Sequence, residues 1–256
     1  MLDRPEEYQR MRDAEDRLWW YRCLHQLVLK ALKEVPKQAE ILDAGCGTGG
    51  LLTALKNAGY ERCRGFDRSP YATRFCSERG LAVEEGSLQE LARFASPGSL
   101  DALISCDNLY FLSPDEQTDF MSAAASVLRP GGVLIVNVPA LDAFCGMHDI
   151  SVGIRQRFSR DMLRRTLKHP SLEVQHIRFW PFLIAPLIYA ARARQRRTLR
   201  MHPETPAHSD VSMPHPLLNG ILEAIVRAEF RLLPWTPFGS SLFAVARRVA
   251  NPSGLT

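Results

Sequence analysis

The sequence predicts an α/β fold, a mostly parallel sheet with helices on both faces, and three observations carry that expectation. From residue 40 onward short apolar runs alternate with helix-period stretches, the pattern of strands joined by crossover helices. The stretch Glu40-Ile-Leu-Asp-Ala-Gly-Cys-Gly-Thr-Gly-Gly50 reads as a buried strand, a glycine turn and the start of a helix. Asp43 and Asp67 both fall at the carboxyl ends of strands, the edge where open α/β sheets bind ligands.

Taken in order, residues 1–18 are highly charged and read as a helix or frayed arm. Leu18-Trp-Trp-Tyr-Arg22 opens an apolar-periodic helix through Leu27, Leu29 and Leu32 that stops near Pro36, so residues 1–36 form an N-terminal helical cap. Strands are expected at 40–44, 62–66, 81–84, 101–106 and 132–138, with helices near 50–58, 70–79, 87–94 and 114–128. Pro130 cannot continue a helix, and Gly131-Gly132 allows a sharp reversal into the fifth strand. Leu172–Phe179 alternates as a sixth strand, and Ser241–Arg247 supplies a late seventh.

Some sixty residues separate these last two, too many for a structureless loop in a compact domain. They hold the apolar run from Phe179 to Ala191, an arginine cluster, a polar Pro/His/Ser segment (201–216) and an amphipathic helix from Leu217 to Leu232. That helix is expected to bury Leu217, Leu218, Ile221, Leu222, Ile225 and Ala228 along one side. The chain is thus read as one domain, 1–256, in which residues 180–238 are a helical, apolar lid insertion. The apolar run is too short and too interrupted by proline to span a bilayer.

Composition narrows the function classes. A chain of 256 residues, 46% hydrophobic and 23% charged, suits one soluble domain with an elaboration. The charged start, Met1-Leu-Asp-Arg-Pro-Glu-Glu, does not read as a signal peptide. Six widely spaced cysteines without a Cys-x-x-Cys pair or metal-ligand spacing read as reduced, packed thiols of a cytoplasmic protein with no metal site. The net charge is +4, but Arg192, Arg194, Arg196, Arg197 and Arg200 supply five of the positive charges. A general nucleic-acid binder is more broadly basic than that, so no nucleic-acid partner is expected.

The glycine turn poses the question of ligand. Gly45-x-Gly47-x-x-Gly50 satisfies the dinucleotide fingerprint, and such a turn lets a ligand lie against the backbone at the positive end of a helix. Asp43, two residues before the first glycine, repels a pyrophosphate there but attracts an ammonium or a sulfonium. Asp67, about twenty residues further on, can accept both ribose hydroxyls of whichever nucleoside is bound.

Asp43-x-Gly45-x-Gly47-x-Gly49 together with Asp67 resembles the S-adenosylmethionine (SAM) site of class I methyltransferases. Further stretches match that family in order: Glu85-Gly-Ser-Leu88, Asp101–Cys106 followed by Asp107-Asn-Leu-Tyr-Phe111, and Leu128-Arg-Pro-Gly-Gly132. The resemblance implies a Rossmann-like sheet with an antiparallel last strand, SAM as cofactor and S-adenosylhomocysteine (SAH) as product. It implies cofactor contacts from Asp43, Ala44, Gly45, Cys46, Gly47 and Gly49 in the turn, and from Asp67, Arg68 and Ser69 after the second strand. Ser87 and Leu88 follow the third strand, with Ser87 where the family often has an acidic residue beside the adenine; Cys106, Asp107 and Asn108 follow the fourth. Tyr110-Phe111 stands where many relatives have Glu-His, which removes an acid/base or metal-ligand pair.

The segment from His148 to Leu163, with Arg155, Arg157 and Phe158, is similar to a bacterial small-molecule subgroup, the methyltransferase type 11-like proteins. Asn219 and Pro237-Phe-Gly-Ser-Ser241 match the same subgroup, whereas Ile154 and Gln156 depart from it. The expected activity is methyl transfer, by in-line displacement, to the O or N of a small hydrophobic or amphiphilic acceptor. His148 is the candidate base, against a surface-loop role beside Asp149, and Tyr110 could face the sulfonium. Trp19 and Trp20 are candidate substrate contacts, as are Phe179 and Phe182; Arg155 and Arg157 could grip an acidic group or serve surface salt bridges. The insertion could also serve a homodimer or a peripheral membrane contact. The alternatives are a non-catalytic SAM-binding or assembly protein, a methyltransferase acting on a protein, and a nicotinamide-dependent oxidoreductase.

Overall fold

A computed structural model describes residues 5–207, 209 and 211–249. The first four residues of the expected cap, positions 208 and 210 of the polar segment, and residues 250–256 lie outside the described residues.

Seven strands form one sheet: β1 (Ile41–Ala44), β2 (Cys63–Asp67), β3 (Val83–Glu85), β4 (Leu100–Cys106), β5 (Leu128–Pro139), β6 (Leu172–Trp180) and β7 (Ser241–Arg248). Their order is β3-β2-β1-β4-β5-β7-β6, and β7 runs antiparallel to both of its neighbours. The order reverses between β1 and β4, so the carboxyl ends of those strands flank the crevice where such sheets take ligands.

Before the sheet lie α1 (Pro5–Ala14) and α2 (Trp19–Ala31), and the crossovers are α3 (Gly50–Asn57), α4 (Pro70–Glu78), α5 (Leu91–Phe94) and α6 (Pro114–Val127). Next come α7 (Met147–Val152) and α8 (Arg160–Thr166), and the insertion carries α9 (Ala185–Met201) and α10 (Pro216–Leu232). Local chemistry sets several starts. Ser113 accepts from Glu116 N–H and Glu116 accepts from Ser113 N–H, with Pro114 in the first turn of α6.

Alternation along the strands divides the interior in two. Leu42, Ala44, Leu134 and Val136 face one core with α5, α6 and α8, while Ile41, Ile104, Val133 and Ile135 face another with α2, α3 and α10.

The insertion differs from expectation in two respects. The apolar run is not one segment of the lid: β6 takes it to Trp180, and after the turn at 181–184 helix α9 carries the rest together with the arginines. In addition, α10 buries Asn219, Glu223, Val226, Glu229 and Phe230, leaving Leu217, Leu218 and Ile221 at 73%, 47% and 56% exposure. The reason is polar. Asn219 accepts from Trp19 N–H (2.9 Å) and donates to Arg17 C=O (2.9 Å), closing the otherwise uncapped start of α2. Glu223 pairs with Arg22 and Arg227, and Lys30 donates to Phe230 C=O. These anchors rotate α10 so that its mixed face, not its most apolar one, meets α2. No helix among the described residues is long and apolar enough to cross a membrane.

Candidate active site

A cavity of about 760 Å³ opens over the β1/β4 crevice. Its floor is the sheet's carboxyl edge, with Asp43, Gly45, Cys46 and Gly47 after β1, Asp67 and Arg68 after β2, and Asp107 and Asn108 after β4. Ser87 and Leu88 close the β3 side. The walls come from elsewhere: Tyr8 and Met11 of α1, Trp19, Trp20 and Tyr21 of α2, His148 of α7, and Ile188 and Leu222 of the insertion.

The turn after β1 needs glycine. Gly45 has φ +79° and Gly47 φ +55°; a β-carbon at Gly45 would collide with the Asn108 amide, and one at Gly47 would sit 2.8 Å from Met11 Sδ. That same Asn108 amide donates to Ala44, Gly45 and Cys106 C=O (2.8–3.1 Å), tying the ends of β1 and β4 together. Asp67 accepts from Gly47 N–H (2.9 Å) and Ser69 N–H (3.0 Å), which fixes it beside the turn.

The N-terminus of α3, where a dinucleotide's pyrophosphate would bind, is filled from within. Gly50 N–H donates to the Glu15 carboxylate (2.9 Å), and Glu15 is paired with Arg79 (2.7 Å), both side chains nearly buried. An anionic ligand finds that helix end taken, which removes the nicotinamide reading's phosphate site.

The site's electrostatics favour a cation. Burial pushes Asp43 up to about 8, helped by its neighbours Asp67 and Glu15; burial likewise raises Glu15 and Asp107 to about 7, and Asp67 upward. Asp43 is 2% exposed, with no hydrogen bond or ion pair among the described residues. A carboxyl buried without a partner is costly, and a sulfonium and ammonium in the cavity would relieve it. The residues present therefore fit SAM: a small turn, Asp67 fixed beside it, and buried carboxyls on the floor that a cation would favour in their ionised form. When bound, SAM supplies the methyl group.

Several expected residues take other places. Ala44 and Gly49 are not on the cavity wall, and Ser69 is spent on starting α4, where Tyr71 N–H donates to its hydroxyl. Ser87 donates through both N–H and hydroxyl to Glu90, so its side chain serves a local turn at the cavity's edge. Tyr110 lines the cavity, and burial pushes its phenol pKa well above the ordinary value. His148 also lines it, with Nδ1 3.3 Å from Ser209 Oγ.

Phe179 and Phe182 do not line the cavity. Both belong to β6 and the turn beyond it, at the sheet's far edge, where Arg160 stacks over Phe179 and Phe182 packs on Phe238. Arg155 is exposed, off the wall, and donates to Phe111 C=O. Arg157 reaches the wall but is held in a bidentate pair with Asp149 (2.5 and 3.0 Å), donating also to Ala140 C=O (2.9 Å). Of the five arginines of the cluster, Arg196 donates inward to Ala143 and Cys145 C=O, and Arg194, Arg197 and Arg200 are exposed. Glu15, Tyr21 and His25 are wall residues that the motifs did not indicate, because none belongs to the sheet-edge pattern.

Comparison with known proteins agrees with this geometry. A methyltransferase domain model matches residues 41–132. No curated protein matches the sequence. Among solved structures, the fold is shared with the chain complexed with the Haloferax volcanii Trm112 methyltransferase activator (TM-score 0.60, 20% identity, 96% of this chain and 94% of that one). It is shared with geranyl diphosphate C-methyltransferase from Streptomyces coelicolor (TM-score 0.57, 15% identity, 88% and 75%). A SAM-dependent methyltransferase from Archaeoglobus fulgidus has it too (TM-score 0.53, 17% identity, 88% and 94%). Residues 41–132 thus match a methyltransferase domain, and the chain shares its fold with SAM-dependent methyltransferases.

Proposed function

We propose that the enzyme methylates an oxygen or nitrogen of a small amphiphilic acceptor, bound in the part of the cavity walled by α2 and the insertion. The observation that carries this reading is the continuity of one cavity. The carboxyl floor takes the cationic cofactor, and Trp19, Trp20, Ile188, Leu222 and His148 surround the remaining space. Trp20 stacks on Trp180 (5.4 Å, 24°), which backs that wall with a rigid aromatic layer. Geranyl diphosphate, named for one structural neighbour, is an acceptor of the same general kind, an apolar body with a polar head. In-line transfer asks mainly for alignment and exclusion of water, and an enclosing apolar wall supplies both.

The test is SAH formation from 4-alkylphenols and alkylamines whose chains run from ethyl to decyl. Each methylene buried against the wall should contribute about 0.8 kcal/mol, so kcat/KM should climb several-fold per carbon until the cavity is full. A flat series removes the apolar-acceptor reading. Asp67 is assigned to the ribose hydroxyls on the same basis. Asp67→Ala should weaken SAM binding by about 1.5–3 kcal/mol in a folded protein, read by calorimetry, and unchanged affinity would move the ribose elsewhere.

Leu187 with Arg194, Arg197 and Arg200 on α9, and Leu217, Leu218 and Ile221 on α10, are exposed side chains of the kinds an anionic membrane attracts, and such a membrane would be a source of the acceptor. The six free cysteines suit a cytoplasmic setting.

A further inference from the structure

We propose that Asp107 takes the acceptor's proton during methyl transfer, and that Asn137 and Trp180 position it for that task. This rests on the methyl-transfer reading above and goes beyond the cofactor contact that the place of Asp107 after β4 suggests.

The geometry is a three-residue chain running into the cavity floor. Trp180 Nε1–H donates to Asn137 Oδ1 (2.9 Å), and Asn137 Nδ2–H donates to Asp107 Oδ2 (2.9 Å). Asn137 and Trp180 are both fully buried. An indole N–H is only a donor, so it fixes the amide oxygen toward Trp180 and the amide N–H₂ toward Asp107. The backbone is set as firmly. Asp107 N–H donates to Asn137 C=O (2.8 Å), and Asp107 lies at φ +58°, in the left-handed region that aspartate adopts more readily than most residues. Oδ2 is thereby committed, while Oδ1 has no hydrogen bond among the described residues and Asp107 lines the cavity.

Asp43 and His148 line the same cavity as Asp107; Asp43 lies under the glycine turn on the cofactor's side, and the His148→Ala variant separates His148. Tyr21 of α2 and Tyr110 beyond β4 lie close, and burial raises both phenols, so they stay protonated. Cys106 is likewise pushed well up by burial. Arg157 is the nearby cation, already bound to Asp149. Burial lifts Asp107 to about 7, against the pull of Asn137 and Arg157, which suits a base working near neutrality.

In the step itself, the acceptor's lone pair forms the bond to the methyl carbon as the carbon–sulfur bond breaks, and that bond's electron pair stays on sulfur. The proton on the acceptor's oxygen or nitrogen passes to Oδ1, so charge and atoms balance. Below the Asp107 pKa the carboxyl is already protonated and cannot accept, so turnover should rise with pH through about 7.

The experiment uses the full chain with SAM and 4-octylphenol, alongside ¹³Cγ-aspartate NMR of the SAH-bound protein. Asp107→Asn should lower saturating kcat by about 10²–10⁴-fold and abolish its rise with pH, a loss that saturation with SAM does not restore. Trp180→Phe should lower kcat and displace the pH midpoint without changing KM for SAM, a split that lost packing alone would not give. His148→Ala should keep the wild-type midpoint. In the NMR titration, the resonance missing from Asp107→Asn should titrate near neutrality. The proposal fails if that resonance titrates near 4, or if His148→Ala removes the pH dependence. It fails too if Asp107→Asn weakens SAM by more than about tenfold while saturating kcat is unchanged, for then Asp107 is a cofactor contact. Failure of SAH to bind the wild-type protein would overturn the methyl-transfer reading itself.

Discussion

Arg157→Met should cost about 3–5 kcal/mol of folding stability, the usual penalty for stranding one member of a buried ion pair. Asp149 is 6% exposed and holds Arg157 through two hydrogen bonds. Its other duty is to accept from Gly146 N–H at the start of α7. Arg157 in turn donates to Ala140 C=O just past β5, so the pair ties α7, and with it His148, to the sheet. A domain of this size has about 5–15 kcal/mol in all, so urea unfolding should show a clear fall in midpoint without a change of slope. Replacing both residues, Arg157→Met with Asp149→Leu, should recover much of the loss, because no buried charge is left behind. A stable single variant with a raised KM for acidic acceptors would instead restore Arg157 to substrate binding.

That pair marks where sequence reasoning stops. The place of Asp43, Gly45, Gly47 and Asp67 on the sheet's carboxyl edge was legible because it is local: positive φ, a strand end and a fixed spacing lie within one β-α-β unit. The seven strands were legible for the same reason, since period-2 and period-3.6 patterns are written in neighbouring residues. Arg157 had the right charge in the right segment, but its partner depends on how the loop after β5 folds back. Phe179 and Phe182 looked like a wall because they are apolar; the sheet order places them three strands from the crevice, which no local pattern encodes.

The rotation of α10 is the plainest case. Its apolar periodicity pointed to Leu217 and Ile221 as core, yet Asn219 meets Trp19 across 200 residues of sequence and turns the helix the other way. The Asn219 amide answers both a donor and an acceptor at the start of α2, and Glu223 adds pairs with Arg22 and Arg227, so several polar contacts together hold that face inward. Glu15 in the N-terminus of α3 has the same character, a contact between a charged arm and a loop 35 residues on. The Trp180–Asn137–Asp107 chain joins β6, β5 and the end of β4, and only the assembled sheet shows it.

The ligand-free protein should lose stability as pH rises from 6.5 to 8.5, and SAM should restore it. Asp43, Glu15 and Asp107 have folded pKa values raised to about 8, 7 and 7 from their ordinary values near 4. A group raised on folding contributes stability below its unfolded pKa, and that contribution is lost as pH climbs through its folded one. His25 acts in the opposite sense at the acid end: burial lowers it to about 4, so it costs stability as pH falls below 6.5. The window from 6.5 to 8.5 lies above that histidine's range, and the buried thiols, raised on folding, add to the loss only near its upper end. Each proton held by the folded but not the unfolded state changes stability by about 1.4 kcal/mol per pH unit, so the expected loss is on the order of 3 kcal/mol. A cation on the cavity floor favours the ionised carboxyls, so SAM should bind more tightly at pH 8 than at 6.5 and release protons as it binds. Calorimetry in buffers of different ionisation enthalpy reads that release directly. SAH, which lacks the sulfonium charge, should show a weaker pH dependence. Equal pH dependence for SAM and SAH, or stability flat across the window, would mean that the carboxyl floor is neutralised by other means and does not select the cofactor by charge.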